Sequence, residues 1–148
     1  MSGPSRVDAA RERVLTDHGE TLAVTLDVAD AVAADPDALV DGETLRRRLR
    51  ERLAEQGLLA RYPDVLRTAV AAAGCDLAAD PVPAPPYVVV ASTGPLLRGS
   101  TGGGRIVVAL RAFTVRGRED IDSDSEVRYE ITTGGFDEKL EVWGIGGY

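Results

Sequence analysis

The run Gly94-Pro95-Leu96-Leu97-Arg98-Gly99-Ser100-Thr101 holds the residue types that come nearest to chemistry in this chain. It follows a β-like stretch and matches G-x-x-x-x-G-K-[ST] everywhere except at the lysine, where Ser100 stands. That lysine is the group that reaches the β- and γ-phosphates of a nucleotide. A phosphate-cradling loop also opens a helix, whose N-terminal dipole helps hold the anion. Here Gly102-Gly103-Gly104 and another β-like stretch follow instead. The spacing therefore predicts a mobile, glycine-rich hairpin loop over 94–104. Such a loop is longer than a tight hairpin needs, and long loops often carry binding groups. Arg98, Gly99, Ser100, Thr101, Gly103 and Arg105 form its candidate site for a small anionic ligand or a partner's carboxylate.

Other groups suggest less. Glu119-Asp120-Ile121-Asp122-Ser123-Asp124-Ser125-Glu126 contains D-x-D-x-D, a spacing that can gather oxygen ligands. A calcium loop wants glycine next and glutamate at position twelve, where this chain has Ser125 and Ile131. The stretch reads as a solvated hairpin tip, with 117–125 expected to be disordered, and no metal site is assigned. His18 and Cys75 are the sole histidine and the sole cysteine. A dyad between them would require the fold to bring distant segments together, and packing roles are the expectation for both. Arg46-Arg47-Arg48-Leu49-Arg50-Glu51-Arg52 is the one basic patch. It lacks interleaved aromatics and the companion readers of a DNA-recognition helix. Arg47 and Arg50 are its candidates for contact with an acidic partner. Trp143 falls on the opposite strand face from Leu140 and Val142, where an exposed aromatic favours an interface.

The elements that must position these groups divide at Asp80-Pro81-Val82-Pro83-Ala84-Pro85-Pro86. Before that seam, Val7, Ala10, Val14, His18, Leu22, Leu26, Ala29 and Val32 recur at helical spacing. They predict one helix over about 5–34, capped by Ser5 and kept in phase through Gly19. Asp41 is the N-cap of a second helix bearing Leu45, Leu49 and Leu53, which stops at Gly57. A third starts at Tyr62-Pro63 and ends near Gly74. After the seam, strands are predicted at 87–91, 106–115, 127–131 and around 140–144. Helices before strands give an α+β class: three N-terminal helices packed on a C-terminal four-stranded antiparallel sheet. A chain of 148 residues fits a single domain.

Composition limits the functions. The formal net charge is −7, which disfavours nonspecific attraction to nucleic acid. Sixteen arginines accompany a single lysine, Lys139, and fourteen aspartates outnumber ten glutamates. No apolar run approaches the ~20 residues of a membrane span, and no apolar stretch follows the N-terminus as in a signal peptide. The cytoplasm is the expected compartment. In its Asp/Ala/Val patches, such as Asp27-Val28-Ala29-Asp30-Ala31-Val32-Ala33-Ala34-Asp35, and its near absence of lysine, the chain resembles small haloarchaeal proteins of unknown function. That resemblance is compositional and transfers no site; it implies a salt-adapted, acidic surface.

No catalytic set and no cofactor motif stand out. The favoured function is a non-enzymatic interaction or assembly module, joined to a protein partner or a second copy through sheet edges and Trp143. The alternatives are a small enzyme or binder acting on an anionic ligand at 94–105, and a nucleic-acid-associated regulator using the 46–52 face.

Overall fold

The computed structural model describes residues 5–116 and 128–146. Helix α1 (Arg6–Asp17) opens on Ser5, whose hydroxyl accepts from the Asp8 N–H at 3.1 Å. That bond satisfies one of the donors a first turn leaves without a partner. The helix expected over 5–34 does not run through. It stops at His18, and α2 (Gly19–Ala33) begins on the next residue. His18 leaves helical geometry at φ −123°, ψ 21°. Its Nε2 hydrogen-bonds Thr68 Oγ1 at 2.8 Å, which ties the break to a distant helix.

A 3-10 turn (Ala38–Val40) leads into α3 (Gly42–Glu55). Asp41 caps α3 as expected, accepting from the Glu43 N–H and from the Thr44 hydroxyl at 2.7 Å. Leu45, Leu49 and Leu53 are fully buried, so their four-residue spacing does face the core. Gly57 ends α3 at φ 72°, a left-handed geometry that lets the Leu58 N–H reach back to the Leu53 carbonyl at 2.9 Å. Helix α4 (Tyr62–Ala72) carries its proline in the first turn and lies against α1. The helical half thus has four helices rather than three, the first having divided.

Strands β1 (Val88–Ala91), β2 (Gly94–Thr101), β3 (Gly104–Leu110) and β6 (Leu140–Gly146) form a sheet in the order β1-β2-β3-β6, every pair antiparallel. An α+β fold with helices first and a four-stranded antiparallel sheet after is therefore present; three of its strands, β1, β3 and β6, fall on predicted stretches, while β2 takes the place expected of 127–131. The expected loop 94–104 is strand β2 plus a tight turn. The expected strand 106–115 breaks at Arg111-Ala112, because the N–H groups of Ala112 and Phe113 both turn to the Thr93 carbonyl, at 2.8 and 3.0 Å. The piece beyond, β4 (Phe113–Arg116), pairs with β5 (Arg128–Ile131) as a separate two-stranded ribbon. The acidic run 119–126 lies outside the described residues. A single helical turn, α5 (Phe136–Lys139), precedes β6.

The core lies between the helices and one face of the sheet. Val88, Val90, Leu97, Ile106, Val108, Leu110 and Leu140 alternate onto that face and meet the buried leucines of α3 and α4. Fully burying such a side chain contributes about 1.5–3 kcal/mol. One polar pair sits inside: Thr25 Oγ1 and Tyr62 Oη are 2.7 Å apart. The Thr25 hydroxyl already donates to the Thr21 carbonyl at 2.8 Å, so the tyrosine is the donor between the two. Burial pushes the Tyr62 phenol pKa well above its ordinary value, with the Thr25 bond opposing.

Candidate functional site: the outward face of the sheet

The other side of the same strands is unlike an ordinary wet sheet face. Strand alternation puts Val89, Leu96, Arg98, Val107, Ala109, Glu141 and Trp143 there, opposite the core residues. Val107 and Ala109 are nearly fully buried. In register, Arg98 and Trp143 flank Val107, and Leu96 and Glu141 flank Ala109. Trp143, Arg98 and Leu96 are themselves half-buried, not fully exposed. The centre of this face is a low apolar surface rimmed by charge.

The six residues proposed for an anion site divide among the two faces and the turn between β2 and β3. Arg98 and Ser100 on β2 and Arg105 on β3 share the outward face, with Ser100 in register opposite Arg105. Together with Tyr87, Pro86 and Ala78 they line a cleft open to solvent. Gly99 points the other way: a Cβ there would come within 2.6 Å of Leu77 Cδ2, so its smallness serves inner packing. Thr101 and Gly103 make the turn. Thr101 Oγ1 accepts from the Gly103 N–H at 3.3 Å and donates to the Gly104 carbonyl at 3.2 Å. The cleft is built on paired backbone. The Arg98 N–H donates to the Tyr87 carbonyl at 2.9 Å, the Ala78 N–H to the Ser100 carbonyl at 2.8 Å, and Leu77 bridges Thr101.

Among the described residues, neither Arg98 nor Arg105 has an acidic partner. Arg13, Arg46, Arg48, Arg111 and Arg116 each pair with one carboxylate and Arg67 with two, while Arg6, Arg11, Arg47, Arg50, Arg52, Arg61 and Arg128 share the lack of an acidic partner among the described residues. Asp80, near the cleft wall, is held by Arg67 at 3.2 Å.

The other candidates lie elsewhere. Arg47 and Arg50 are exposed on α3, in a groove with Glu51 and Leu59. Glu43 pairs there with Arg46 at 2.5 Å, and that bond holds the glutamate's pKa below its ordinary range and raises the arginine's. His18 and Cys75 do not form a dyad. His18, just past the C-terminal end of α1, bonds Thr68, whereas Cys75 Sγ lies 3.8 Å from Arg6 Nη1 at the N-terminal end. The twelve residues of α1 separate them, about 18 Å at 1.5 Å per residue. Among the described residues no group of three or more His, Cys, Asp or Glu is placed to hold a metal ion, and no helix is long and apolar enough to cross a membrane.

The open sheet edge expected from the sequence is given a strand by the structure: the lateral edge of β6. The Arg111 N–H donates to the Lys139 carbonyl at 2.8 Å, which fixes the alternation of the β3–β6 ladder. By that alternation the peptide groups of Leu140, Val142 and Gly144 point away from β3. Arg11 Nε covers the Leu140 carbonyl at 3.1 Å. Among the described residues no strand pairs with the far side of β6.

The family model described as "Domain of unknown function (DUF7988)" matches residues 8–142, and the chain belongs to that family. No curated protein and no solved structure matches it.

Proposed function

We propose that this member of the DUF7988 family is a non-enzymatic assembly module that joins a second copy of itself through β6. The carrying observation is the edge just described: seven residues long, with the peptide groups of Val142 and Gly144 turned outward. Unpaired edges of this kind template strand addition. The strand is self-complementary about a two-fold axis at Trp143. Antiparallel pairing there sets Val142 against Gly144 of the copy and Glu141 against position 145, so no like charges oppose each other. The two tryptophans meet on the outward face, as aromatics do at interfaces. The acidic, lysine-poor composition fits a salt-adapted cytoplasmic protein, whose charge repulsion is screened away at high salt.

Light scattering behind size exclusion tests this at ~0.2 M and ~3 M KCl, a range over which screening lengths collapse. The expected result is a dimer, strengthened by salt and lost in a Val142→Pro variant that keeps its circular dichroism. A parent protein that stays monomeric at every concentration and both salts would overturn the reading.

A further inference from the structure

The outward cleft is independent of the β6 edge and carries its own chemistry. Two arginines without acidic partners among the described residues, in a chain of net charge −7, converge with a hydroxyl on one preformed hollow. Arg98 and Arg105 are diagonal neighbours on adjacent strands, a relationship that sets backbones about 7–8 Å apart. Ser100 lies two residues along from Arg98 on the same face and directly across from Arg105.

Each guanidinium is a rigid fork that a carboxylate satisfies alone, two oxygens to one arginine. Two forks and a hydroxyl on one hollow ask for more acceptor oxygens than one carboxylate offers. A terminal phosphate supplies three oxygens and close to two negative charges at neutral pH. The remaining walls are apolar: Pro86, Ala78 and the ring of Tyr87. A bare inorganic anion leaves those walls unused, whereas an organic body attached to the phosphate covers them. We infer that the cleft formed by Arg98, Ser100, Arg105 and Tyr87 is a binding site for a phosphate monoester of a small organic molecule. The phosphate lies between the two arginines and the organic body rests against Pro86 and Tyr87. The proposal involves no bond-making step.

Titration calorimetry at constant ionic strength tests it, with phenyl phosphate, inorganic phosphate and benzoate as probes. Phenyl phosphate is expected to bind saturably, at least ~10-fold tighter than benzoate and tighter than inorganic phosphate. That difference corresponds to the ~1.4 kcal/mol that a tenfold affinity ratio represents. Arg98→Gln with Arg105→Gln should weaken it by ~10-fold or more, as loss of charge-assisted hydrogen bonds requires. Arg105→Gln alone, at an exposed position, gives the same direction if the double variant does not fold. Arg111→Gln, which removes a cation already paired with Glu141, should leave binding unchanged. Equal affinity for benzoate, unaltered binding in the Arg105→Gln variant, or no saturable binding of phenyl phosphate would each overturn the site. The β6 dimer is measured by mass, so either proposal can fail without the other.

Discussion

Arg98 and Trp143 stand on either side of Val107, each in register with it on a neighbouring strand of the outward face. Val107 is only 3% exposed. Long amphipathic side chains can shelter an apolar neighbour while their polar ends stay wet. Arg98 and Trp143, both half-buried and both in register with Val107, are placed to shelter it in this way. Arg98 also lines the cleft with Ser100 and Arg105.

Truncating the indole should cost less than truncating a core aromatic. Trp143 is half-buried, so Trp143→Ala is expected to destabilise by about 1–2 kcal/mol, against the ~3–5 typical of a fully buried aromatic. Urea unfolding followed by far-ultraviolet circular dichroism reads the difference. A loss of core size would mean that Trp143 is covered by something other than its own neighbours.

The buried Thr25–Tyr62 pair should respond asymmetrically. Tyr62→Phe removes a donor but leaves the Thr25 hydroxyl bonded to the Thr21 carbonyl, so the expected cost is about 0.5–1.5 kcal/mol. Thr25→Val strands the tyrosine hydroxyl inside the core and should cost more, about 1–3 kcal/mol. Denaturant midpoints of the two variants would contradict the assigned donor direction if their order were reversed.

Two glycines of the 94–104 stretch should behave in opposite ways. Gly94 has φ 144°, and a Cβ there would come up against the backbone carbonyl of Leu110. Gly94→Ala is expected to destabilise by ~3 kcal/mol or more, through combined strain and overpacking. A Cβ on Gly102 meets nothing within 4 Å, and its φ lies outside the left-handed range. Gly102→Ala should fall within about ±0.5 kcal/mol, as surface substitutions usually do. Comparable melting temperatures for the two variants would count against β2 as a strand that starts at Gly94.

Acid should weaken the start of α3. The Asp41 carboxyl is held below its ordinary pKa of 3.8, chiefly by the hydroxyl of Thr44. A carboxyl depressed in the folded state contributes stability above its unfolded pKa and loses it as pH falls through the folded value. The stability gap between the parent and Asp41→Ala should therefore be constant from neutral pH down to about 5, then shrink below the unfolded pKa. A gap that stays constant to pH ~2 would show that the cap does not depend on ionisation.

Helices were readable from the sequence because their signals are local. Ser5 and Asp41 cap where short polar side chains precede a periodic run, and Leu45, Leu49 and Leu53 face inward as their spacing requires. The division at His18 was harder to read, because the apolar stripe keeps its phase across it while the bond to Thr68 is tertiary. Strand β2 was hidden for a similar reason. Gly94, Pro95 and Gly99 read as loop residues, yet Gly94 is small because Leu110 passes close and Gly99 because Leu77 and Leu66 do. Once β2 is a strand, alternation alone brings Arg98, Ser100 and Arg105 together and sends Gly99 inward. An open sheet edge was expected, but that β6 is the strand forming it had no sequence signal, since strand order is decided by packing between distant segments.

The bond from Arg11 to Leu140 spans 129 positions of the chain. Helix α1 packs on β6, so segments near opposite ends of the described chain lie side by side. A contact of such separation forms only after a large loop has closed, and such contacts slow folding more than they weaken the folded state. The same pairing couples two regions that would otherwise fray separately. When β6 lifts from the sheet, α1 loses part of its support, and when α1 unwinds, the Leu140 carbonyl loses its cover. The amide hydrogens of α1 and β6 should therefore exchange with solvent in one shared opening event, like a clasp that either holds both ends or releases both.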